Sequence, residues 1–83
     1  MDSNQTRNLK YKISNIRNTI NDRIEKRKDI PISNSEGCHI KDMLAIVKVA
    51  LRADSPETLV VLEKALSKLL SSAKTKWLKE WQK

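Results

Sequence analysis

The sequence predicts an all-α protein, a three-helix bundle built on an antiparallel helical hairpin, and three observations carry that expectation. Apolar residues recur at three- and four-residue spacing through three successive segments, the periodicity of one helix face. One Gly and two Pro in 83 residues leave too few turn positions for a many-stranded fold, which needs a turn about every ten residues. Finally, Asp54-Ser55-Pro56-Glu57 ends one apolar pattern and opens the next, with a polar cap, Pro at the first helical position and Glu behind it. A connection of about three residues makes the flanking helices fold back on each other.

The first helix is expected over about residues 6–29. Leu9, Ile13, Ile16, Ile20 and Ile24 fall within an arc of roughly 80° at 100° per residue, a single narrow apolar stripe. Asn15, Asn18 and Asn21 have poor helix propensity, so this helix must draw stability from what it packs on and is expected to be loosely attached. Ile30-Pro31 closes it, because the residue before a proline is pushed out of the helical region.

Residues 30–37 form the linker. Ser33 and Glu36 have capping-box spacing and Ser35 competes as a cap, so the second helix begins between Asn34 and Cys38 and is taken over about 36–53. Ile40, Leu44, Val47 and Leu51 line one face, with Met43 and Ala50 widening it. Ile46 and Val49 add an apolar strip on the far side, the expected contact of a homodimer.

The third helix, over 56–83, meets no breaker. Leu59, Leu62, Leu66, Leu69, Leu70, Ala73, Trp77 and Trp81 hold one face, with Lys64, Lys68, Lys79 and Lys83 on or near the other. At about 1.5 Å per residue it would reach on the order of 40 Å and overhang its neighbour, leaving Trp77 and Trp81 to be covered by helix 1, the linker isoleucines or a second subunit.

Composition bounds the rest. A single domain spans residues 1–83, and a chain this short buries a modest share of its surface, so oligomerisation would help it. Without Phe, the core must be aliphatic. Cys38 is the one cysteine and forms no internal disulfide, which with a polar N-terminal stretch lacking a signal-type apolar segment points to the cytoplasm. The longest apolar run, residues 43–47, falls far short of the roughly 20 needed to cross a bilayer, so a membrane location is not expected.

The net charge is +7 and it is uneven. Residues 1–30 hold eight basic and four acidic side chains, 31–55 three of each, and 56–83 six and three. Basic ends favour acidic partners, whether protein, nucleic acid or lipid.

Little in the chain suggests catalysis. Cys38-His39 has no second Cys or His to complete a metal set or a nucleophile with its base, so no metal, cofactor or catalytic residue is expected and the protein is read as no enzyme. Asp22, Glu25 and Asp29 share a helix face but sit among lysines and arginines as ion-pair partners. On helix 1, Lys10, Arg17 and Lys28 line one flank of the isoleucine stripe and Lys12 and Arg23 the other, an arrangement that serves either as a solvated rim or as a binding face. The C-terminal residues Trp77, Lys79 and Trp81 combine apolar spacing with positive charge, suited to docking on a partner or to finishing the core. If helices 2 and 3 formed a helix-turn-helix, the reading helix would present Glu57, Val60 and Val61, which do not recognise bases.

These readings converge on a small basic interaction or regulatory protein. The expected partner is an acidic protein, bound through Lys10, Lys12, Arg17, Arg23, Lys28, Trp77, Lys79 and Trp81. The alternative is an accessory protein that binds nucleic acid without sequence specificity through the same basic ends.

Overall fold

Each stripe finds its partner in the computed structural model, which describes residues 2–81. The described residues form helices α1 (Asp2–Lys26), α2 (Asn34–Arg52), α3 (Pro56–Lys76) and a single turn, α4 (Leu78–Trp81), with no strand among them. The three long helices pack against one another, giving an elongated body of 44 × 19 × 19 Å, about two helix diameters thick. The fully buried residues repeat at seven: Ile13 and Ile20 on α1, Met43 and Ala50 on α2, Leu59, Leu66 and Ala73 on α3. Sevenfold spacing keeps one seam facing its neighbours along nearly parallel or antiparallel helix axes. α1 contributes Ile13 and Ile20 to this core, both shielded from solvent, with Leu9, Ile16 and Ile24 partly buried against it.

Contacts between elements locate the helix ends. Lys10, early in α1, lies 3.9 Å from Asp54 just beyond α2, while Arg23, late in α1, meets Glu36 in the first turn of α2. His39, also early in α2, places Nε2 2.7 Å from the carbonyl oxygen of Leu69, late in α3. A carbonyl can only accept, so Nε2 carries the proton.

Helix boundaries depart from expectation in two places. α1 ends at Lys26, about three residues short of the boundary expected from Pro31. Residues 27–29 form a turn closed by the Ile30 N–H donating to Arg27 O at 3.1 Å, and Arg23 Nη1 donates to the carbonyls of Arg27 (3.1 Å) and Ile30 (3.4 Å). Pro31 has no N–H to offer the Arg27 carbonyl four residues earlier, and the Arg23 side chain takes that carbonyl up instead.

α2 begins within the expected window. Ser33 Oγ caps it by accepting from the Glu36 N–H at 3.2 Å. α3 starts at Pro56 behind Ser55, whose Oγ accepts from the Thr58 N–H and donates to Glu57 Oε2 at 2.7 Å. That hydrogen bond, and secondarily the backbone N–H of Glu57 itself, hold the Glu57 carboxyl below the usual glutamate range.

The unbroken third helix is the second correction. α3 stops at Lys76, Trp77 takes φ −123° and ψ 54°, and α4 restarts with Trp81 N–H donating to Trp77 O at 3.1 Å. No Gly or Pro causes the break. It re-aims Trp81 across the end of the bundle, where the ring is buried and its N–H reaches a carboxylate. The expected continuation of the helix over residues 82–83, with Lys83 on its polar face, lies outside the described residues.

Candidate functional site

Two polar features stand out, one buried and one open. The buried one joins three elements at the end of the bundle. Arg23 donates from Nε to Glu36 Oε2 (2.8 Å) and from Nη2 to Glu36 Oε1 (2.9 Å), a bidentate pair whose side chains are each 1% exposed. Trp81 Nε1 donates to the same Glu36 Oε2 at 3.0 Å. Nearby, Arg27 Nη1 donates to Lys79 O at 3.3 Å, tying the end of α1 to α4. Trp77 packs beside this node, edge-on to His39 with ring centroids 5.4 Å apart.

Every donor and acceptor of the node is matched. No buried side-chain nitrogen or oxygen among the described residues lacks a hydrogen-bond partner, so the cluster presents no unpartnered group to a ligand. The cleft beside it, of about 750 Å³, is bordered by both signs of charge: Asp22, Asp29 and Glu80 against Lys26 and Arg27. Its chemistry is structural. It locks α1, α2 and α4 to one another.

The open feature lies where α1 passes α2. Leu44, Val47 and Leu51 form the apolar floor of a groove of about 320 Å³, and Arg17 from α1 with Lys48 and Arg52 from α2 complete its lining. Val47 is buried, the two leucines are half-buried, and the three cations are exposed. Among the described residues the ion pairs are Lys10–Asp54, Arg23–Glu36, Lys26–Asp22 and Lys28–Glu25, so none of the groove cations is neutralised by a neighbour. Nor does the sequence put a carboxylate three or four residues from any of them.

The residues expected to meet a partner divide accordingly. Arg17 belongs to the groove. Lys12 and Lys79 are exposed, Trp77 is half-buried, and Lys10 and Lys28 are each held by an acid. Arg23 is not on a solvated flank: it is 2% exposed and spent on Glu36. Trp81, 8% exposed, finishes the core of its own chain, which covers the end that α3 was expected to leave open. On the other side of α2, Val49 is 58% exposed and Ile46 half-buried.

Lys48 and Arg52 escape a reading by net charge because residues 31–55 sum to neutrality. That neutrality is only apparent. Glu36 is buried, Asp54 lies 3.9 Å from Lys10, and the third acid, Asp42, does not line the groove, which leaves the groove side of α2 positive. The available signal is local: two cations four apart, flanked by Leu44 and Leu51, with no acid in helical reach.

Cys38 is exposed, and no group of three or more His, Cys, Asp or Glu among the described residues is arranged to hold a metal. No described helix is long and apolar enough to cross a membrane. Comparison of the chain with protein-family models, with curated proteins and with solved structures gave no match in any of the three.

Proposed function

We propose that this protein is a small non-enzymatic interaction protein that binds an acidic protein partner through its cationic α1–α2 face. One observation carries the reading: Arg17, Lys48 and Arg52 converge from two helices on one apolar groove, and no carboxylate among the described residues pairs with them. Unpaired like charges held together repel one another, and a partner carboxylate relieves that repulsion while gaining attraction. Arg is also among the residues most often dominant in protein interfaces.

The reading narrows the binding face. It moves weight from the C-terminal tryptophans, engaged within the chain, to the middle of α1 and the second half of α2. A phosphate backbone would use the cations and waste the apolar floor, so nucleic acid ranks second. The hairpin contact between α2 and α3 is taken as antiparallel, in keeping with His39 beside Leu69, and a homodimer through Ile46 and Val49 is part of the same reading, motivated by the exposure of Val49.

Charge reversal tests the function. The double variant Arg17→Glu/Lys48→Glu spares Arg52, whose charge also favours the C-terminal end of α2. Capture of partners from the native source, with and without nuclease, should recover a nuclease-resistant protein with the original chain and lose it with the double variant. Retention of that partner by the reversed protein at low salt would refute the proposal.

A further inference from the structure

We infer that the occupant of the groove is an acidic amphipathic helix, about two turns of which seat their apolar edge on Leu44, Val47 and Leu51. This inference rests on the proposed binding of an acidic partner and specifies its shape and chemistry.

The groove's dimensions select a helix. Leu44 and Leu51 are two turns apart on α2, about 10 Å at 1.5 Å per residue, and Val47 lies between them. A partner helix laid alongside presents anchors at i, i+3 or i+4, and i+7 over the same length. An extended strand is a poorer fit, because an α-helical wall offers no free backbone edge to pair with.

Charge decides what flanks those anchors. Arg17 stands on α1, and Lys48 and Arg52 stand on α2 one turn apart. An apolar edge bordered by Glu or Asp on both sides would set carboxylates against both groups. The same charges argue against a second copy of this chain as occupant. The acids of α1 in the Asp22 to Glu25 region are already paired with Lys26 and Lys28, and the whole chain carries +7. Anionic lipid would match the charge, but a groove this short and shallow holds side chains more readily than acyl chains.

The experiment uses the full chain and three synthetic peptides of about 14 residues: one with leucines at i, i+3 and i+7 flanked by glutamates, one with those leucines changed to serine, and one with the glutamates changed to lysine. Binding is measured by fluorescence anisotropy at low and moderate salt, and located by methyl chemical shifts of Leu44, Val47 and Leu51. The expected result is binding of the first peptide with shifts at all three methyl-bearing residues, about tenfold or more weaker without the leucines, and none for the lysine peptide. Leu51→Gln, with its fold checked by circular dichroism, should weaken the first peptide by a similar factor. The methyl shifts keep the test decisive if that variant unfolds.

Equal binding of the leucine and serine peptides, with unmoved methyls, overturns the helix-in-groove inference and leaves the acidic-partner reading standing. Failure of both acidic peptides to bind at low salt overturns the inference and removes support from the reading on which it rests. Displacement of the leucine peptide by a short DNA duplex at equal concentration would overturn both.

Discussion

Removing the Glu36 carboxylate while leaving Arg23 in place is the sharpest perturbation the structure offers. The guanidinium would then be an unpaired charge with 1% of its side chain exposed, its remaining partners two backbone carbonyls. Breaking a buried ion pair from one side costs about 3–5 kcal/mol. A chain of 83 residues at about 0.05–0.15 kcal/mol per residue has a total stability of only about 4–12 kcal/mol. Glu36→Ala should therefore lose a large part of the stability, with a fall in Tm on the order of 12 °C or more. Glu36→Gln should lose nearly as much, since a neutral amide restores a hydrogen bond but not the charge. Arg23→Met/Glu36→Leu should be less damaged than either, because no lone charge remains, although the Trp81 N–H and the Arg27 and Ile30 carbonyls lose their partner. Urea unfolding followed by far-UV circular dichroism measures each, and an unchanged slope identifies the shift as one of stability. Glu25→Ala is the control: its pair with Lys28 is 67% and 73% exposed, and its removal should change stability by about 0.5 kcal/mol or less. If Glu36→Ala falls within about 1 kcal/mol of that control, the pair is hydrated in solution and the locking role is refuted.

Other perturbations test the remaining joints. Trp81→Phe removes one donor from a carboxylate that Arg23 still binds, so it should cost about 1 kcal/mol, whereas deleting residues 77–83 also uncovers the core and should cost several times more, both read by thermal unfolding. Hydrogen exchange should be faster over residues 4–12 than over residues 59–70, and slower again near Arg23 than at the start of α1, because the buried Ile13 and Ile20 and the ion pair all lie beyond residue 12; equal protection along α1 would contradict this. The ionised form of Glu57 favours the folded state, a contribution present above the ordinary glutamate range and lost as pH falls through the lowered folded value. NMR titration should place Glu57 below that range and move it upward in Ser55→Ala. Sedimentation equilibrium at micromolar concentration tests the proposed dimer, which a strictly monomeric mass would exclude.

The helical class, the starts of α2 and α3 and the core residues were written in local pattern. Ser33 before the second stripe and Ser55-Pro56 before the third act on the backbone within one turn, so neighbours in sequence suffice to read them. The aliphatic stripes are equally local, because a helix's geometry brings residues three and four apart onto one face whatever lies opposite. Glu36 shows where that logic ends. Its spacing suits a capping box, and its N–H does bond to Ser33, yet its side chain occupies the core stripe that continues through Ile40, Met43, Val47 and Ala50. What makes a carboxylate tolerable there is Arg23, thirteen residues earlier, and Trp81, forty-five residues later. α1 also stops three residues short of its expected end, and α3 breaks at Trp77, where no Gly or Pro signals a stop. Arg17, Lys48 and Arg52 likewise become one cationic rim only when α1 lies against α2 and the neighbouring acids are taken up elsewhere. The helices and their greasy faces are legible in the chain alone, since backbone hydrogen bonding and side-chain periodicity act over four residues. Which charges are buried, which are neutralised and which stay unpaired among the described residues emerges only once the helices pack, because electrostatic interaction and desolvation depend on distance in space and not along the chain.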